Sequence, residues 1–405
     1  MISGLKQTSG IVFALCMQAL QRIAWVCLVL AVVLDQAPVM SADAVPAREP
    51  LRVYIGTYTG AGSRGIYVSR FDTFTGLLSS PQLAAETKNP SFLVVHPNQR
   101  WLYSVGEVDN FRGQRAGVVS AFKMEADGKL TLLNEQASGG TGPCHLSTDQ
   151  AGKCVLVANY GSGSVAALPL TADGRLGEPA VSIQHHGASI DPRRQTGPHA
   201  HSIVAAPGDR FALACDLGLD KVFVYRLDSA RAQLSPNEPP YISVKPGSGP
   251  RHLAFHPNGR VVYVINEIAS TLSVFEYEAQ SGTLKEIQTI STLPDNFNSP
   301  NLCAEVQVHP SGKFVYASNR GHDSLAVFSV EATTGKLDFV EHRPSDGKTP
   351  RHFTIAPQGN WLMEENQDSN TIVVFQIDPQ TGRVHRKGDA VELEAPVCAV
   401  FTAGN

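Results

Sequence analysis

Proline-led apolar strands recurring about 50 residues apart, Pro- and Gly-rich hairpin turns inside each copy, and one copy divided between the two ends of the chain predict an all-β fold. It is a seven-bladed β-propeller, with four antiparallel strands per blade and the ring closed by N- and C-terminal strands sharing one blade.

The period is set by Pro90, Pro143, Pro198, Pro250, Pro350 and Pro396, each opening a short apolar run; the one long interval, between Pro250 and Pro350, holds a further copy at 302–308. The first strand of a copy ends in a turn such as His96-Pro97-Asn98, His256-Pro257-Asn258-Gly259 or His309-Pro310-Ser311-Gly312, where Pro and Gly supply hairpin geometry. Second strands follow at 101–105, 261–265 and 314–317. Third strands follow at 117–122, 164–168, 221–225, 271–277, 324–330 and 371–377. Fourth strands at 130–133, 284–288 and 337–340 come after Asp-Gly or Thr-Gly. The chain after residue 45 opens with only three strands, at 53–58, 65–71 and 77–84, and its last copy stops after one, at 397–402. Joined, they make the seventh blade and leave no long open sheet edge.

Residues 1–44 read differently. Lys6 and Arg22 precede an apolar run at 23–34, and Ala42 and Ala44 frame an A-x-A site, which predicts a signal peptide and export to the periplasm or outside the cell. The run is shorter than the ~20 apolar residues of a membrane span, so no span is expected in the mature form; an uncleaved anchor is the alternative reading of this segment. Residues 45–405 then form one propeller domain. A net charge of -4 excludes a polycationic nucleic-acid-binding face. Cys144, Cys154, Cys215, Cys303 and Cys398 have neither an even count nor C-x-x-C spacing, so they are expected as small core residues rather than a disulfide or zinc framework.

Antiparallel pairing puts the start of each first strand and the end of each second strand at the same end of a blade, around one channel mouth. The starts contribute Cys144, His145, His199, His201, Arg251, His252, Glu305, Arg351 and His352. The second-strand ends contribute Glu107, Asn159, Asp216, Asn266, Glu267, Asn319, Arg320, Glu365 and Asn366. Arginines, histidines and carboxylates converging from several blades make an anion- or carbonyl-binding constellation with candidate acids and bases. His96, His256 and His309 lie in turns of the opposite face and are read as structural. The pattern His199-x-His201, with His185 and His186 upstream, lacks a carboxylate or cysteine at ligand spacing, so neither a metal nor any other cofactor is expected. Tyr103, Tyr263, Tyr316 and Trp361 are read as packing between blades.

Five stretches resemble the propeller-type 6-phosphogluconolactonase family: Tyr54-Ile55-Gly56-Thr57-Tyr58-Thr59, His186 through His201, Gly249-Pro250-Arg251-His252, Val264-Ile265-Asn266-Glu267 and Tyr316-Ala317-Ser318-Asn319-Arg320. Fungal carboxy-muconate lactonizing enzymes are similar. The resemblance spans about residues 51–403 and implies hydrolysis of a small-molecule sugar lactone, with a lactonizing cycloisomerase or a non-catalytic binding propeller as alternatives. It implies catalytic roles for His199 or His201, Arg251, Glu267 and Arg320; the converging strand ends add His145, His252, Asn319, Arg351 and His352 as substrate-binding candidates. The two arginines would bind an anionic group and the oxyanion while Glu267 or a histidine deprotonates water. Export argues for a non-phosphorylated lactone.

Overall fold

The computed structural model describes residues 50–60 and 62–402, and the segment read as a signal peptide lies outside them. Seven four-stranded antiparallel sheets are arranged as the repeat predicts. Six run in sequence order, and the seventh combines Pro396–Thr402 with Leu51–Thr57, Gly65–Phe71 and Gln82–Glu86. Antiparallel pairing, with Val53 opposite Phe401 and Ile55 opposite Ala399, closes the ring without a covalent link. First strands, such as Pro143–Thr148, Ala200–Ala205, Pro250–Phe255, Leu302–Val308 and Pro350–Ile355, touch their counterparts in the neighbouring blades and line the channel.

Sheets alternate their side chains between two faces, and both faces of these blades are covered by the adjacent blades. Accordingly the second strands are buried throughout, as in Trp101–Gly106 and Val261–Asn266. Seven apolar clusters among the described residues each join two adjacent blades. Polar handles latch the same interfaces. Tyr103, Tyr263 and Tyr316 donate their hydroxyls to the carbonyls of Gly174, Gly335 and Gly382 in the following blade. On the far face Nε2 of His96, His256 and His309 meets the carbonyls of Gly152, Gly312 and Gly359. In each of these rings Nδ1 accepts a backbone N–H two residues on, so Nε2 carries the proton and donates. These three histidines and the tyrosines are structural, as read from the turns.

The five cysteines in the propeller are buried free thiols. Several strand boundaries differ from expectation, most of them by extension of the outer strands, and two of the differences have a direct chemical reason or consequence. The outer strand of the closing blade begins at Gln82 rather than residue 77, because Pro81 has no N–H for the ladder and Leu78 makes only an isolated bridge to Phe71. The second blade's first strand shortens to Leu93–Val95, which leaves Ser91 to bind a side chain at the mouth.

Candidate functional site

Six first strands carry a register shift at their mouth end, at Pro143/His145, Ala200/Ser202, Pro250/His252, Cys303/Val306, Pro350/His352 and Pro396/Cys398. In a regular strand consecutive side chains diverge; a bulge re-aims one of them. Arg251 and His252, adjacent in sequence, therefore meet in the channel with Nη1 and Nε2 3.2 Å apart.

The mouth centres on Glu267, whose side chain is 4% exposed. Its Oε2 accepts from Nε of Arg251 at 3.0 Å and Nη2 of Arg320 at 2.7 Å, and its Oε1 accepts from Nη2 of Arg194 at 2.5 Å. Burial alone would raise this carboxyl, but Arg320 and Arg251, with His201 and Arg194, hold it well below the usual carboxylate range. The arginines are not exhausted by this. Arg251 spends Nη1 on the Ala304 carbonyl and His252, and Arg320 spends Nε and Nη2 on the carbonyls of Leu302 and Cys303. Among the described residues, Nη2 of Arg251 and Nη1 of Arg320 have no protein partner.

Across the mouth Arg351 donates from Nη2 to the Tyr58 hydroxyl at 2.8 Å, and Tyr58 in turn donates to Glu107 at 2.9 Å, which also accepts from Ser91. No carboxylate pairs directly with Arg351 among the described residues.

The two histidines of Pro-His-Ala-His occupy different settings. His199 stacks on Tyr160 with ring centroids 4.4 Å apart and places Nδ1 3.0 Å from the Tyr160 carbonyl. A carbonyl only accepts, so Nδ1 carries a proton, and in the neutral ring the lone pair is on Nε2. His201 is buried against Tyr160 and His252, with Nδ1 3.6 Å from the Cys144 sulfur. Burial and Arg251 push its pKa well below the ordinary value, so it is neutral at pH 7.

One level deeper, His145, His252 and His352 surround the Phe92 ring at centroid distances of 4.3, 5.7 and 5.7 Å. The pKa values of His145 and His352 fall to about 3, chiefly by burial. His252 Nδ1 lies 2.8 Å from Glu305 and His352 Nδ1 2.7 Å from Glu365. Asn319 is fully buried and uses its carboxamide to join blades, donating to the Thr292 carbonyl and accepting from the Thr292 hydroxyl. Asp216 caps the His199, Gly218 and Leu219 amides and binds His185, whose other nitrogen meets Tyr225.

The structure thus gathers His199, His201, Arg251, Glu267, Arg320 and Arg351 at the mouth. It sets His145, His252 and His352 beneath them and puts Asn319 between blades. The sequence reading missed Arg194, Tyr58 and Tyr160. Tyr58 and Tyr160 immediately follow Thr57 and Asn159, the position that Glu267 and Arg320 hold after Asn266 and Asn319, so aligning the copies on that position would have found them. Arg194 lies in an irregular connection between Gln184 and Ala200 and carries no such signal.

Residues 52–401 match the family described as Lactonase, 7-bladed beta-propeller. A 6-phosphogluconolactonase of Bacillus subtilis is 38% identical over 349 residues, covering 86% of this chain and 97% of the relative. A 6-phosphogluconolactonase of Formosa agariphila is 34% identical, covering 82% and 94%. The solved structure of the periplasmic gluconolactonase of Pseudomonas aeruginosa superposes with a TM-score of 0.82 at 35% identity, covering 88% of this chain and 99% of that one.

Proposed function

The chain belongs to the seven-bladed β-propeller lactonase family, and on that premise we propose that the Glu267–arginine cluster at its channel mouth is where it hydrolyses a sugar lactone. The observation that carries this reading is a buried carboxylate gripped by three guanidiniums, each of which keeps N–H groups without protein partners among the described residues; those of Arg251 and Arg320 lie deepest.

Those donors, Nη2 of Arg251 and Nη1 of Arg320, bind the lactone carbonyl and the oxyanion formed when water adds to its carbon. Fixed cations in a buried site stabilise such developing charge without reorganising. His199 takes the water proton on Nε2, the nitrogen left bare by the Tyr160 carbonyl. The carbon to ring-oxygen bond then breaks, and the departing oxygen receives that proton, giving the open hydroxy acid. Glu267 is a poor base in this setting, because the arginines that position it also suppress its proton affinity; it aligns the guanidiniums instead. Arg351, without a direct carboxylate partner, anchors an anionic or hydroxyl-rich end of the substrate.

Residues 1–44 act as an export signal in this reading, supported by their basic and apolar pattern and by the periplasmic relative. In that compartment an unphosphorylated aldonolactone is the substrate. Proton release is to be followed with fresh glucono-lactone, its 6-phosphate and a muconolactone, against buffer and Arg251→Ala. The expected result is fastest turnover of glucono-lactone, lost in the variant. No turnover of any of the three would replace the reading with a binding propeller.

A further inference from the structure

Behind the mouth, four side chains from two blades form a continuous hydrogen-bonded chain that the proposed reaction does not consume. Glu267 accepts from Nε of Arg251, Nη1 of Arg251 lies 3.2 Å from Nε2 of His252, and Nδ1 of His252 lies 2.8 Å from Oε2 of Glu305. All four are at least nine-tenths buried. The polarity of the chain is determined by Arg251, which has donors only. Its N–H points at Nε2, so that nitrogen must hold a lone pair, and the ring proton must sit on Nδ1. Nδ1–H can then only donate, and Glu305 is the acceptor.

We propose that Glu305 is a positioning residue that fixes the tautomer of His252 and, through it, the orientation of the Arg251 guanidinium at the mouth. With Nη1 held by Nε2 of His252 and by the Ala304 carbonyl, and Nε held by Glu267, Arg251 has a single edge left to turn toward a ligand. If the His252 proton moved to Nε2, two donors would face each other and the guanidinium would swing away. Burial pushes the Glu305 carboxyl up to about 8. A proton there belongs on Oε1, because Oε2 faces Nδ1–H, so the direction of the chain is the same on either side of that value. His352 Nε2, 3.9 Å from the same Oε2, closes the far side of the carboxylate. Both ring nitrogens of His252, a substrate-binding candidate from the sequence, are engaged within the protein.

The inference rests on the reading of Arg251 as a substrate-facing group, and two measurements separate the two. Neutron diffraction from the wild-type protein exchanged into heavy water is expected to show a deuteron on Nδ1 of His252 and none on Nε2. The reverse placement overturns the proposal whether or not the protein hydrolyses a lactone. In steady-state kinetics on glucono-lactone, Glu305→Gln keeps an amide oxygen that can accept from Nδ1–H, and kcat within about threefold of wild type is expected. Glu305→Met removes the acceptor, and kcat should fall about 10–100-fold with KM nearly unchanged, the scale of a misplacement near 1 Å. Equal activity of Gln and Met variants overturns the positioning role. If the Met variant does not fold, the neutron map and the Gln variant decide.

Discussion

Replacing Glu267 by Gln tests whether the centre of the mouth is a charge clamp or a base. The side chain keeps its shape but loses the charge that offsets Arg194, Arg251 and Arg320 at 2.5, 3.0 and 2.7 Å. Arg194, whose side chain is 31% exposed, can swing into solvent; Arg251 and Arg320, at 3% and 13%, cannot. Leaving buried charge uncompensated costs about 3–5 kcal/mol. With an unfolding entropy of about 2 cal/mol/K per residue over a domain of roughly 350 residues, that cost lowers Tm by about 4–7 °C. Differential scanning fluorimetry at pH 7 reads this directly, and adding Arg194→Gln should change little because that charge already escapes to water. The pH dependence of kcat/KM supplies the second reading. The arginines keep Glu267 ionised far into acid, so the acid limb of the wild-type profile arises from another group and survives in Glu267→Gln beneath a lowered plateau. A variant with unchanged Tm, or one whose acid limb disappears, would refute the clamp and restore Glu267 as the base.

Three further outcomes follow from other parts of the molecule. His199→Asn should lower kcat about 10²–10⁴-fold with Tm unchanged; an undiminished rate, with the loss found in His201→Asn instead, would move the base to His201. Glu364 is fully buried, neither carboxylate oxygen has a partner among the described residues, and burial raises its pKa well above the ordinary value, so it is neutral when folded. The unfolded chain ionises this group above about pH 4.3, so the wild type loses about 1.4 kcal/mol per pH unit from there up to the folded pKa. Glu364→Gln should therefore gain Tm relative to wild type, more at pH 8 than at pH 5; a pH-independent difference would contradict the assignment. Tyr263→Phe leaves the Gly335 carbonyl without its donor and should cost about 1–2 kcal/mol in urea unfolding. Unchanged stability would show that the latch contributes little.

Much of the architecture was legible because its determinants are local and repeated. The His-Pro-Asn-Gly turns, the proline-led strands and the three-plus-one split of the closing blade each follow from backbone chemistry within a few residues, and recurrence confirms each copy against the others. Antiparallel pairing then carried the reading from strands to site, since it alone requires Arg251, Glu267 and Arg320 to share one end of the blades. The outer strands Val181–Gln184, Gln233–Ser243 and Val384–Glu392 escaped it, because their solvent-facing sides dilute the apolar alternation.

The repeat and its strand pairing therefore determined the number of blades, the closure of the ring and part of the polar set at one mouth. Tertiary structure decided how those side chains pair. Which of His199 and His201 keeps an accessible lone pair depends on the Tyr160 carbonyl and the Cys144 sulfur, supplied by the preceding blade. That Glu267 meets three guanidiniums depends on arginines from three separate segments, one of them in a loop without periodicity. That His252 meets Arg251 depends on a bulge turning two consecutive side chains to the same side. Proton affinity and hydrogen-bond direction belong to the pairwise surroundings of a group in space, and strand pattern constrains those surroundings only through the backbone.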